Sequence, residues 1–389
     1  MKVEQIATLI NSVTSEIMGE NALITEDLSN VVDVGTTVLN GGDNMVDAYV
    51  RNLVNHIGRV IFVNREYRGG APSVLMDGWK YGSILEKVSA EIPEAEENEN
   101  WSLVDGTSYD PNVFHKPVVE SKFYNSRVTY EVTQSIARGQ VEQSFSGPDQ
   151  LNGFLSMLTS NVQKSMTVKT DGLIMRTINA LTAETLYNHY NSGTTFTGAG
   201  GTRAVNLLYL YNAAYPSETP LTASAALTNP DFIRYASFVM GTYVSRLSSM
   251  SSLFNIGGKL RFTPRDMLHV VLHADFEQAA ATFLQSNTFN KELVSLPRSE
   301  KVPFWQGSGT GYDFADTSAI KVTTPASHTV TASGILGVMF DRDALGVCNL
   351  DRRVTTQYNA KADFWNNFHK FTAGYFNDHN ENFVVFFVA

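Results

Sequence analysis

From Arg65 to Ser126 the chain runs for about sixty residues without an apolar pattern dense enough to build a core of its own. Turn-forming clusters interrupt it throughout: RGGAPS, MDGW, EIPEAEENEN and VDGTSYDPN. Two stretches in this part of the chain keep a period of two. Ile84, Val88, Ala90 and Ile92 share one face, with Lys87, Ser89 and Glu91 on the other. Val128, Tyr130 and Val132 alternate with Thr129 and Glu131. The pattern predicts a long antiparallel ribbon whose outer end lies in the acidic, Gly/Pro/Asp-rich segment 93–117. A two-stranded ribbon is marginal in water because it buries too little surface. The segment is therefore either disordered or supported from outside. Its Trp79, Tyr81, Trp101, Phe114, Phe123 and Tyr124 speak against disorder. A neighbouring copy of the chain is the economical support, which makes Trp79, Tyr81, Trp101 and Phe114 candidate inter-subunit contacts. The acidic run Glu94, Glu96, Glu97 and Glu99 would ordinarily be a solvated tip. At the end of a ribbon it is also a candidate contact for a neighbour's arginines, where ion pairs set register more than affinity.

The strongest helical signal follows. Ser146-Gly147-Pro148-Asp149 supplies an N-cap candidate, a first-turn proline and an early negative charge. Leu151, Phe154, Leu155, Leu158, Val162, Met166, Leu173, Ile174, Ile178 and Leu181 then recur at helical spacing. Unbroken to about Tyr187, the element would measure about 60 Å. A bend is expected between Met166 and Gly172. Such length exceeds the globular norm and suits the backbone of a flat, elongated subunit.

Elsewhere, Val3 to Ile17 predicts a short amphipathic helix opening an otherwise extended leader, and Ile57 to Val63 a first core strand. Residues 191–203 and 303–318 read as Gly-rich or Gly/Asp/Ser loops. Asn229-Pro230-Asp231 opens a helix running to roughly Phe254, and Met267 to Leu272 is a strand. Asp275 caps a third helix. Strands are expected over Ile335–Phe340, Val347–Tyr358, Phe364–Phe376 and Phe383–Val388, the last buried on both faces. The N-terminus lacks the apolar core of a signal peptide, and no window is long and apolar enough for a transmembrane helix.

The 389 residues carry 29 Lys and Arg against 39 Asp and Glu, a net charge of −10. Gripping nucleic acid requires clustered cations, and none is evident in the sequence. Enclosing nucleic acid without gripping it remains compatible with this balance. The single cysteine, Cys348, forms no intramolecular disulfide and fits a reducing compartment; it reads as a small apolar filler.

Motifs that could carry chemistry fail on spacing. His269 and His273 sit four apart, but Val270 stands where HExxH needs glutamate and no third ligand follows. Asp341, Asp343 and Gly346 resemble the start of a calcium loop, but Leu345 and Arg352 occupy ligand positions. Neither 193–203 nor 307–311 contains a phosphate-binding loop or a nucleophile elbow. No enzyme, metal or cofactor is expected.

The order of elements resembles the major capsid proteins of tailed bacteriophages, an α+β class with the Hong Kong 97-like fold. The stretches that carry the likeness are SGPDQLNGFLSMLTSNVQKSM, MLHVVLHADFEQAAATF, GILGVMFDRDALGV and KFTAGYFNDHNENFVVFFV. The resemblance implies an N-terminal arm at 1–56, a first core strand at 57–64 and an extended β-ribbon loop at 65–126. It implies a peripheral domain with the spine helix at 127–199, an axial domain at 200–345 and peripheral-domain strands at 346–389. It further implies self-assembly into hexamers and pentamers of an icosahedral shell around double-stranded DNA, without sequence-specific binding and without a membrane. Scaffolding, portal and decoration proteins would be its partners, the host cytoplasm its place of assembly and the virion its destination. Some members of the family join lysine to asparagine covalently. Lys80, Lys87, Lys116 and Lys122 lie in the ribbon region, but the sequence shows no sign of the buried acid this chemistry needs. An encapsulin-like nanocompartment is the alternative within the fold, though its chains are typically shorter. A receptor- or carbohydrate-binding phage protein, from a different class, would have more strands and no 40-residue helix.

Overall fold

A computed structural model describes residues 11, 13–15, 25, 29–42, 44–53, 71, 74–76, 85–90, 97, 102–110, 112, 114–116, 118–285, 299–306 and 314–389. Its strands, in chain order, begin with β1 (Leu75–Met76), β2 (Leu85–Ala90), β3 (Val119–Tyr124), β4 (Arg127–Ala137), β5 (Ala204–Asn206) and β6 (Leu268–His273). They continue with β7 (Ser299–Val302), β8 (Ile320–Thr323), β9 (Thr329–Ala332), β10 (Ile335–Asp341), β11 (Leu345–Asn359), β12 (Phe364–Asn377) and β13 (Phe383–Phe387). The chain divides into two compact units. One comprises Met1–Gly78, Arg127–Arg176 and Val347–Gly374; the other comprises Trp79–Ser126, Thr177–Gly346 and Tyr375–Ala389.

The long helix is Pro148–Tyr190, 43 residues, helical throughout the stretch where a bend was expected. It stops at Asn191, which takes the left-handed conformation (φ 49°) that asparagine tolerates beyond a helix end.

In the first unit a sheet of order β1-β11-β12-β4 covers a core built with the N-terminal half of that helix. Leu151, Phe154, Leu155, Leu158, Val162 and Met166 from the helix join Ile136, Trp365 and Phe371 from the sheet. Residues 31–40 and 44–53 are helices, not an extended leader, and they bury Val31, Val34, Val38, Val46, Tyr49, Val50 and Leu53 in the same core. Their β-branched residues are weak helix formers, so burial of an apolar stripe prevails over local preference. Gly35 permits the approach, since a Cβ there would lie 2.3 Å from Phe145. Trp365 Nε1 donates to Asp47 Oδ1 at 2.7 Å, tying the second of these helices to β12. The helix expected over 3–17 and the strand expected over 57–64 lie largely or wholly outside the described residues; Val13, within the first, is buried.

The alternation at Val128, Tyr130 and Val132 belongs to β4, but β4 is not a ribbon strand. It pairs antiparallel with β12, from Arg127↔Gly374 to Ala137↔Phe364. The ribbon is instead β2 paired with β3.

The second unit is centred on a sheet of order β5-β13-β10-β6-β7. β6, β10 and β13 are buried along their whole lengths, as continuous apolar runs covered on both faces should be. The closing strand β13 lies beside β10 and β5. Helices Leu207–Ala214, Pro230–Leu247 and Ala274–Gln285 contribute Leu207, Tyr211, Phe232, Ala236, Met240 and Phe276 to its core. Asn229 caps the middle helix, its Oδ1 accepting from the Asp231 and Phe232 amides at 2.9 and 3.0 Å. Asn229→Ala should lower stability by about 1 kcal/mol, measured by urea unfolding of the unassembled subunit. That helix ends at Leu247, short of Phe254, where the hydroxyls of Ser248 and Ser249 donate to the Ser245 carbonyl. The helix after β6 is capped not by Asp275 but by His273, whose Nδ1 accepts from the Asp275 amide at 3.3 Å.

Candidate assembly surface

The β2–β3 ribbon runs in register from Leu85↔Tyr124 through Lys87↔Lys122 to Ala90↔Val119. Strand alternation gives it two faces. The half-buried face carries Leu85, Lys87, Ser89, Glu120, Lys122 and Tyr124; the exposed face carries Glu86, Val88, Val119, Ser121 and Phe123. The polar side is therefore turned inward and the apolar side outward, with Val88 61%, Val119 57% and Phe123 63% exposed.

The inward lysines explain this. Lys87 Nζ donates to Asp378 Oδ2 and Glu381 Oε1, each at 2.8 Å, and to the Asp343 carbonyl at 3.2 Å. All three hydrogens of its ammonium have acceptors. Lys122 Nζ reaches the other oxygen of Asp378 at 3.1 Å. On the same face Glu120 meets Lys259 at 3.5 Å and accepts from Asn380 Nδ2 at 3.3 Å. Arg261 lies 3.4 Å from Glu381. Tyr124 rests against Phe376, ring centroids 5.1 Å apart. The turn that holds the carboxylates is itself fixed. The Asp378 amide donates to the Ala344 carbonyl at 2.7 Å, and the Asn380 amide donates to Asp378 Oδ1.

Burial opposes charge on both partners, yet the pairing prevails. Desolvation raises the Asp378 pKa, but the hydrogen bond and charge of Lys87, with the Asn380 amide and Lys122, bring it from 3.8 down to about 2. Desolvation likewise opposes the Lys87 charge, and the Asp378 and Glu381 carboxylates more than offset it, so its pKa lies above the ordinary value. The contribution of Asp378 to stability is thus complete above about pH 4 and disappears as pH falls through about 2.

Beyond this root, the described residues between 102 and 116 are all exposed. Leu103, Val104, Tyr109 and Phe114 project there, Phe114 at 83% exposure. Eight of the nineteen exposed large apolar side chains among the described residues fall between Val88 and Phe123. Apolar side chains exposed in this number make the ribbon region a candidate interaction surface. Of the candidate contacts, Phe114 and Glu97 are exposed, while Glu94, Glu96, Glu99, Trp79, Tyr81 and Trp101 lie outside the described residues. Sequence reading missed Lys122, Lys259, Arg261, Asp378 and Glu381 as a group. The available signal was the charged turn between β12 and β13, NDHNEN, together with lysines on the polar side of the ribbon.

The motifs tested for chemistry occupy structural positions. His269 and His273 are buried in β6, against the rings of Phe340 and Phe314 respectively. Burial lowers the His273 pKa. Asp341 Oδ1 accepts from the Asp343 amide in the turn after β10. The first glycine loop closes on itself through the Gly201 amide and the Ala204 carbonyl, 2.8 Å apart. The second, 307–311, lies outside the described residues. Cys348 is buried in β11. No group of residues suited to hold a metal ion occurs among the described residues. No described helix is long and apolar enough to cross a membrane.

Comparison with solved structures places this architecture. The capsid structure of Staphylococcus phage Andhra is similar at a TM-score of 0.53 and 11% identity, over 84% of this chain and 86% of that one. The capsid of cyanophage P-SCSP1u gives 0.46 at 10% identity, over 82% and 86%. The mature capsid of bacteriophage PhiM1 gives 0.45 at 8%, over 84% and 87%. No curated protein matches the chain in sequence. The fold is that of Hong Kong 97-like capsid proteins, and the class is a shell-forming structural protein of the virion. Residues 8–387 match the model of the Phi29-like phage major capsid proteins, and the chain belongs to that family.

Proposed function

We propose that this capsid protein assembles with copies of itself into hexamers and pentamers of an icosahedral shell enclosing double-stranded phage DNA, and that it catalyses no reaction. The observation that carries the reading is the ribbon. Its root is held on its own unit by ion pairs, while its described outer residues expose Leu103, Val104, Tyr109 and Phe114 to solvent. Surface of this kind gains from a neighbour, and in a shell the neighbour is another copy. Trp79, Tyr81, Trp101, Phe114 and the acidic run at 94–99 are the proposed contacts. The unit holding the N-terminal half of the long helix is read as the peripheral domain, and residues 200–345 as the axial domain. The net charge of −10 supports a container that encloses nucleic acid without gripping it. Scaffolding, portal and decoration proteins are its proposed partners, with assembly in the host cytoplasm.

Expression of the chain with and without its scaffold, followed by negative-stain electron microscopy, tests this. Shells, tubes or discrete hexamer and pentamer rings are expected. A monomer under every assembly condition would overturn the reading. Deleting residues 93–117 should leave a folded subunit, judged by circular dichroism, that no longer forms closed shells. Normal shells from that variant would remove the ribbon from the proposed contact.

A further inference from the structure

The register of the ribbon contains a conflict that the ribbon cannot resolve alone. Lys87 and Lys122 are direct cross-strand partners on the same face. Like charges directly opposite destabilise a strand pair. Here one carboxylate stands against both: Asp378 Oδ2 takes Lys87 at 2.8 Å and Oδ1 takes Lys122 at 3.1 Å. The Asp378 side chain is 2% exposed, against 23% for Lys87 and 29% for Lys122, so the carboxylate end of the bridge is shielded from solvent. The opposite face offers no substitute, because Val88, Val119 and Phe123 are exposed. Glu381 supports Lys87 but makes no ion pair with Lys122 among the described residues.

We propose that Asp378 is a positioning residue that makes closure of the β2–β3 ribbon conditional on its seating against the turn between β12 and β13. Off that turn the two lysines repel and the strands part; on it, the carboxylate converts the repulsion into a bridge. Ribbon closure and ribbon docking are then one event, and the exposed apolar face is presented only from the seated state. This holds whatever the outer end touches in a shell, so it stands apart from the assembly reading.

Amide hydrogen exchange on the unassembled full-length subunit tests it. Asp378→Asn retains the Oδ1 that accepts from Asn380 and leaves Lys87 its pair with Glu381, but removes the one carboxylate that stands between Lys87 and Lys122. Exchange at 85–90 and 119–124 should rise about tenfold or more, while β6 keeps its protection. Asp378→Asn with Lys122→Met should recover most of the loss, although no ion pair between the two positions is restored. Three results would overturn the proposal. One is unchanged ribbon exchange in Asp378→Asn. Another is a double variant as unprotected as the single one, which would make Asp378 an anchor and not a screen. The third is a loss spread equally into Leu268–His273, which would assign Asp378 to the core.

Discussion

Trp305→Ala is expected to destabilise the subunit by about 3–5 kcal/mol, read as a lower urea midpoint at unchanged slope. Trp305 is fully buried, 0% exposed, and its removal empties the largest kind of side-chain volume a core holds. It is also a polar junction. Its Nε1 donates to the Ile335 carbonyl at 2.8 Å, and its own carbonyl accepts from Asn179 Nδ2 at 2.6 Å. Alanine keeps the backbone contact with Asn179 but leaves the Ile335 carbonyl, at the start of β10, without its indole partner. An orphaned buried acceptor adds about 1–3 kcal/mol to a loss. Trp305→Phe separates the two effects: it keeps most of the ring and loses only the donor. Phenylalanine should therefore cost about 1–3 kcal/mol, less than alanine. Equal losses for the two variants would show that packing around Trp305 is loose and the hydrogen bond dominant.

Acidification from pH 6.5 to 4 should destabilise the subunit through His369, by about 3 kcal/mol. His369 is buried in β12, 3% exposed, and faces Val132 of β4 across the ladder. Desolvation brings its pKa from 6.5 to about 4, and Nδ1 has no hydrogen-bond partner among the described residues. The folded chain thus holds this imidazole neutral, while the unfolded chain protonates it near 6.5. Between those values the unfolded state binds more protons, so stability rises with pH across this window and falls with acid. Urea unfolding at several pH values checks the slope. His369→Leu should make the slope shallower between pH 6.5 and 4, leaving the part due to His273, whose pKa burial also lowers, and the acid loss due to Asp378 would persist below about pH 4. An unchanged slope in His369→Leu would assign the acid sensitivity to other groups.

Assembly inherits both features. A shell is built from subunits of marginal stability, so losses of this size change how much folded protein is available to assemble. Point changes in the ribbon should act differently, on assembly with little change in the unfolding of the subunit core. The comparison of Trp305→Ala with the 93–117 deletion therefore distinguishes failure to fold from failure to associate.

What the sequence determined by itself is local and periodic. The apolar positions from Leu151 to Leu181 specify a long helix because spacings of three and four place them on one stripe whatever they later touch. Asn229 specifies a helix start because its acceptor lies within reach of the next amides. FVVFFVA specifies a strand covered on both faces. The lack of a core in the ribbon region was legible from turns and scattered aromatics; that its root, β2 and β3, seats on its own unit through Asp378 was not.

Only the tertiary structure decided which strands meet and which way they face. A period of two shows that a strand has two sides; it cannot name its partner, because the hydrogen bonds close onto distant segments. Hence β4 found β12 and not β2, and the valines of 31–40 became a buried helix. In the sequence Lys87 is one polar position of a period-two stretch; in the fold Asp378, 291 positions along the chain, lies 2.8 Å from it. That meeting turns the charged side of the ribbon inward and leaves its apolar side exposed. Charge pairing across such a separation is a property of the folded chain, because nothing local brings the two groups together.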